Sequence, residues 1–153
     1  MRAYSFTNFM LNSVAQGIQP GHCLVDMTRY YIAEKSFAAS VMADWADNHK
    51  TMINLNGGGY GNILRIWEDV QRLGEALDLP FGCFNEDEET LGGLMTCCSI
   101  IVPEKVYGLA AAKWINNNND YIDLDGNVQP IAAQFSADEK ELALLTKSYP
   151  LAR

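Results

Sequence analysis

The residues of this 153-residue chain whose types could do acid–base chemistry are two histidines and one run of carboxylates. His22 follows Gln19 by three positions in IQPGHC, inside a stretch broken by Gly17, Pro20 and Gly21. An imidazole beside a helix start can act as acid, base or phosphate donor; the alternative is a capping or packing histidine. Glu86, Asp87, Glu88 and Glu89 stand consecutively, followed by Thr90 and Gly92-Gly93. Adjacent carboxylates repel one another, so this loop either faces open water or holds its charge for a purpose. His49 and Lys50 precede a run holding Asn54 and Asn56, which leads into Gly57-Gly58-Gly59. Such glycines suit close approach of backbone to a ligand, although the pattern is neither GxxxxGK[ST] nor GxGxxG, and an open turn before a helix explains them equally well.

Other chemistries find little support. Side chains on adjacent acidic positions diverge, and DYIDLDGN, residues 120–127, lacks the downstream Glu of a calcium loop, so no metal is expected. Cys23, Cys83, Cys97 and Cys98 lack the paired CxxC spacing of a zinc site. No GxSxG elbow occurs, and neither cysteine of Cys97-Cys98 has a histidine partner in sequence. No cofactor is expected.

The elements that must position these groups follow from periodicity. Ala3–Met10 mixes aromatic and alternating polar residues as a first strand does. Apolar spacing from Leu24 to Tyr31 predicts a helix over about 20–34, with Pro20 in its first turn where a missing N–H costs nothing. A second helix is predicted from Ser36 to Asp47 and a short strand over Thr51–Asn56. A third helix is predicted over Tyr60–Ala76, on the spacing of Ile63, Ile66, Trp67, Val70, Leu73 and Leu77. Phe81–Phe84 and Leu94–Val102 read as strands around the acidic loop, and Pro103 with Glu104 opens another helix. After Asn116 the chain turns Asn-rich; Ser136 with Glu139 signals a last helix. The order β, α, α, β, α, β, β, α predicts an α/β three-layer sandwich: a mixed sheet of about four strands with helices on both faces. A core of residues 1–115 is expected to carry a C-terminal extension, 116–153.

With 48% hydrophobic residues the chain can bury a core, and its formal charge of -8 opposes unaided binding to a phosphate backbone. No window approaches the roughly 18 apolar residues that span a bilayer, and MRAYSFTNFMLNSVAQG lacks the apolar core of a signal peptide. Cysteines inside apolar runs fit reduced, buried thiols. The expectation is a cytoplasmic protein with no membrane partner; a homodimer is left open.

Taken together, Trp45, Lys50, Leu79-Pro80, Glu86, Thr90, Thr96 and Pro103 fall in register with the type II peptidyl-tRNA hydrolase family of archaea and eukaryotes, and Gln19, His22 and Cys23 resemble its Gln-x-x-His-Ala opening. The resemblance covers about residues 1–115. It implies a peptidyl-tRNA hydrolase 2-like fold and a site where the first loop meets the acidic loop. The family's aspartate is Glu86 here, its Ala-Gly is Asp87-Glu88, and Ser13–Ile18 holds no basic residue where the family is Lys-rich. The charge therefore argues against tRNA as a partner.

What the resemblance leaves is a pocket for a small nucleotide-type ligand. Its catalytic candidates are His22 as acid or base, Glu86 or Asp87 orienting it or a water, and Thr90 donating to the ligand. Its binding candidates are Gln19, His49, Lys50, Asn54, Asn56, Gly57, Gly58 and Thr96. The chain also resembles bacteriophage proteins of this type, for which cleavage or sequestration of a host cyclic-nucleotide immune signal is the expected activity. Peptidyl-tRNA hydrolysis and a non-catalytic acidic interaction protein are the alternatives.

Overall fold

Residues 95–102, MTCCSIIV, have no charge and no turn former, and they make the one strand of the sheet that is buried along its entire length. In the computed structural model, which describes residues 1–152, this strand is β4 (Met95–Val102). It follows β1 (Arg2–Thr7), α1 (Ser13–Tyr31), α2 (Phe37–Asp44), β2 (Met52–Asn56), α3 (Tyr60–Leu77), β3 (Phe81–Asn85) and the one-turn helix α4 (Glu88–Leu91). After it come α5 (Glu104–Ala111), a second small sheet of β5 (Lys113–Ile115), β6 (Asp120–Ile122) and β7 (Val128–Pro130), and α6 (Ala137–Ser148).

The main sheet has the order β2-β1-β4-β3. β1 runs parallel to β2 and antiparallel to β4, and β4 is antiparallel to β3, so the sheet is mixed as expected. Alternation along β3 places helices on both faces. A Cβ on Gly82 would meet Met27 and Cys23 of α1, whereas the ring of the preceding Phe81 lies against Gly74 of α3. One layer therefore holds α1 and α2, and the opposite layer holds α3 with α6 packed beside it.

The first helix differs from its expected span. It starts at Ser13, not near Pro20, because Asn12 caps it by accepting from the Ala15 amide at 2.9 Å. Pro20 thus sits inside α1 and removes one backbone bond, a cost of about 3 kcal/mol. Burial of Leu24 and Met27 beyond it offsets this at about 1.5–3 kcal/mol each. The consequence for chemistry is direct: His22 lies nine residues past the helix start, so the free N–H groups of a helix N-terminus are not beside it.

The other expected elements fall within a few residues of their spans, whereas the small sheet β5–β7 and the one-turn α4 were not expected. Ser36 caps α2, whose last turn widens into a π turn at Trp45–His49 before Lys50 takes up φ 53°. Pro103 precedes α5, and Ser136 with Glu139 forms the reciprocal capping box of α6.

Residues after Asn116 are not peripheral in their packing. Ile131, Leu142 and Ala143 belong to the same buried cluster as Phe6, Ile63 and Ile100. Tyr149 meets Phe6 edge-on at 5.4 Å, and the tail pairs with β2 through Asn56 N to Pro150 O (2.8 Å) and Ala152 N to Asn54 O (2.9 Å).

The tightest helix–sheet approach gives a test. A Cβ at Gly74 would lie 2.2 Å from the Phe81 ring. Gly74→Ala gains about 1 kcal/mol of helix propensity but overpacks the core by about 1–3 kcal/mol. Urea denaturation should show a net loss of up to about 2 kcal/mol; a gain would contradict this packing.

Candidate functional site

β1 and β2 run in the same direction, and β4 starts beside the end of β1, so the carboxyl ends of β1, β2 and β3 and the start of β4 share one edge of the sheet. Their connecting loops are pinned to one another there. Asn8 N donates to Thr96 O at 3.1 Å, Phe9 N to Gly58 O at 3.0 Å, and Gly57 N to Thr7 O at 2.8 Å. The helices that follow β1 and β2 lie on opposite faces, the arrangement that leaves a crevice beyond the strand ends of open α/β sheets.

Three expected site residues meet at this edge. Gln19 projects from α1, Glu86 follows β3, and Thr96 is the second residue of β4, opposite an irregularity between Phe84 and Asn85 of β3. Gln19 Nε2 donates to Glu86 Oε1, and the Thr96 hydroxyl donates to the same oxygen at 3.4 Å. A carboxylate can only accept, so the Gln19 amide nitrogen must face it. Its carbonyl, Gln19 Oε1, is left buried without a partner. An orphaned acceptor of this kind costs about 1–3 kcal/mol unless a donor reaches it. A ligand N–H could supply one.

His22 stands one turn beyond Gln19 on α1, exposed, with its ring edge-on to Phe84 at 4.9 Å between centroids. The imidazole and the acidic loop thus share one side of the molecule, on α1 and the end of β3. Asp87 and Thr90 lie on the outer part of that loop: Asp87 precedes α4, Thr90 is within it, and both are exposed. Glu86 faces the Gln19 amide while its three acidic neighbours face solvent. The run is thus divided between the two purposes that its sequence left open.

The remaining expected contacts separate. His49 and Lys50 precede β2 and lie at the opposite end of that strand from Asn56, which removes them from this edge. His49 there pairs with Asp44 at 3.3 Å. Asn54 sits within β2 beside Ser5, and its Oδ1 is buried without a partner. Asn56 is at the edge but accepts from Gly58 N at 2.9 Å, closing the loop on itself. The glycines serve that turn: a Cβ on Gly57 would lie 2.4 Å from Ile63 Cδ1, and Gly58 has φ 81°.

Sequence reasoning missed the apolar rim. Phe9, Met10, Val14, Ile18, Tyr60 and Leu91 are all at least 40% exposed and belong to the loops and first helical turns around this edge. Asn12 ahead of Val14 was the available signal, because a cap there would have started α1 early and put Val14 and Ile18 on its surface.

Cys23, Cys97 and Cys98 are buried behind this edge. Burial pushes the Cys97 and Cys98 thiols well up; a hydrogen bond from Cys97 holds Cys23 below its ordinary range against the effect of burial. All three have no exposed surface. Ser5 and Ser99 share a hydrogen bond of 2.7 Å in the same layer as Cys23 and Cys97. All four cysteines are free, and no group of three or more His, Cys, Asp or Glu residues is placed to hold a metal ion among the described residues. No helix among them is long and apolar enough to cross a membrane.

Neither the models of known protein families nor the curated proteins contain a match to this chain.

Cys83 is half-buried, and burial raises its thiol too. A disulfide reagent added to the native protein at pH 8 should therefore titrate one thiol of the four, slowly, and all four after denaturation. Rapid labelling of two or more native thiols would contradict the placement of Cys23, Cys97 and Cys98.

Proposed function

We propose that this protein binds a small nucleotide-type ligand at the edge where Gln19, Glu86 and Thr96 meet. The observation that carries the reading is the Gln19 carbonyl, buried and unpartnered beside a carboxylate that has already taken the amide of the same side chain. A nucleobase offers N–H donors to such acceptors, and ribose hydroxyls can donate to the free oxygen of Glu86. Exposed Phe9 and Tyr60 supply aromatic faces for stacking near the same loops. Few cations are nearby, which suits a compact ligand better than a long polyanion. The mixed sheet, and the contact of α1 with the acidic loop through Gln19 and Glu86, are in keeping with the peptidyl-tRNA hydrolase 2-like arrangement that the sequence resembles.

Sequestration or hydrolysis are the two outcomes of such binding. His22, exposed beside Phe84, is the group able to move a proton if the ligand is cleaved. In the bacteriophage setting of the resemblance, the ligand would be a host cyclic-nucleotide signal.

A panel of mononucleotides, cyclic mononucleotides, cyclic dinucleotides and ADP-ribose tests this by thermal shift and chromatography of the recovered ligand. At about 100 times Kd a true ligand should raise Tm by roughly 5–10 °C. Gln19→Ala and Glu86→Gln should each remove most of that shift while leaving the unliganded Tm within a few degrees. Products that vanish in His22→Ala identify a hydrolase; intact ligand identifies sequestration. Absence of both shift and turnover across the panel contradicts the proposal, and release of peptide from peptidyl-tRNA at physiological salt contradicts the charge argument.

A further inference from the structure

The two edges of the main sheet are treated differently by the chain. β2 is covered by the C-terminal segment, where Leu151 bridges Leu55 and backbone bonds reach Pro150 and Ala152. β3 forms the other edge and, among the described residues, pairs only with β4.

The direction of its backbone groups follows from one bond. Ile101 N donates to Pro80 O at 2.9 Å, so Pro80, Gly82 and Phe84 turn their polar groups toward β4. Phe81 and Cys83 must then turn theirs outward. Consistent with this, Phe81 N donates to the Tyr31 hydroxyl at 3.3 Å and not to the sheet. The N–H and C=O of Cys83 have no such cover.

Natural edges are commonly blunted by charge or proline, yet Phe81–Asn85 is FGCFN, with neither. Beside it α1 and β3 enclose a cavity of about 290 Å³ lined by Cys23, Asp26, Met27, Tyr30, Gly82 and Cys83 among others. Gly82 lets α1 pack close at its floor, because a Cβ there would strike Met27 at 2.6 Å. Its titratable surroundings are acidic. Asp26 lines it, Glu34 and Asp78 act on Tyr31 at one end, and no lysine or arginine lines it. Tyr30, 64% exposed, stands edge-on to Tyr31 at the mouth.

From the free edge, the adjoining cavity and this charge we infer that β3 accepts an extended, basic segment of a partner protein as an added strand. Main-chain bonds to Cys83 would set its register. A side chain of the segment would enter the α1–β3 cavity, and lysine or arginine side chains would meet Asp26 and the face of Tyr30. A second copy of this chain is disfavoured as occupant, since two chains of charge -8 would bring identical acidic rims together. The inference does not depend on the ligand reading, because its contacts at Cys83, Asp26 and Tyr30 share no residue with the Gln19, Glu86 and Thr96 site.

The test uses three synthetic heptapeptides with blocked termini: Lys-Val-Lys-Val-Lys-Val-Lys, the same peptide N-methylated at the central valine, and its Glu-for-Lys counterpart. Each is titrated into isotopically labelled protein, with amide resonances of β3 as the readout. The lysine peptide should shift Cys83 and its neighbours, with N-methylation weakening binding about tenfold, the equivalent of one lost hydrogen bond. The glutamate peptide should not bind, and Asp26→Lys, an exposed change that leaves the core intact, should weaken the lysine peptide several-fold. The inference is overturned if millimolar lysine peptide leaves β3 unperturbed, if the methylated or acidic peptide binds equally well, or if sedimentation reveals a dimer that protects the β3 amides.

Discussion

β1 and β4 lie side by side at the centre of the sheet and are buried on both faces, so every polar group on them must be satisfied inside the molecule. Ser5 and Ser99 do this by bonding each other, and Thr7 by donating to Leu55 O at 3.2 Å. Thr96 stands at the start of β4, and there the requirement is met by a group from outside the sheet, the Glu86 carboxylate. Glu86 in turn draws in Gln19 from α1. Polar side chains thus converge at the strand ends because the buried strand pair leaves nowhere else for them to be shared among different elements.

The same constraint divides the carboxylate run. Glu86 is taken inward by two donors, and Asp87, Glu88 and Glu89 remain in water, where their mutual repulsion is screened. An acidic exterior and an apolar rim then surround a small polar centre. That combination suits the compact ligand proposed for the strand ends and the basic segment inferred for the β3 flank better than nucleic acid.

The sheet and most helices were legible because their signals are local. Leu94–Val102 carried the residue types that suit a buried strand, the spacing from Ile63 to Leu77 gave α3, and Ser136 with Glu139 announced α6. The start of α1 was signalled only by Asn12, and Gly17, Pro20 and Gly21 read as breakers against it; the buried stripe that outweighs them acts only in the folded chain. That single displacement moved His22 from a helix start to a helix interior. Gln19, Glu86 and Thr96 could be nominated from sequence and do meet. His49 and Lys50 could not be separated from them, because a parallel strand carries its first and last residues to opposite ends of the sheet, and direction in a sheet is a tertiary property. The packing of residues 116–152 was likewise hidden; an Asn-rich turn region says nothing of Leu142 and Ala143 reaching the common core.

The account rests on α1 and the end of β3 being joined through Gln19 and Glu86. A double-mutant cycle on stability, using Gln19→Ala, Glu86→Ala and the pair, measures that junction directly. A coupling energy of about 1 kcal/mol is expected for a partly buried, charge-assisted hydrogen bond. Additivity to within about 0.3 kcal/mol would mean that the two side chains do not interact, and the site built on them would not exist.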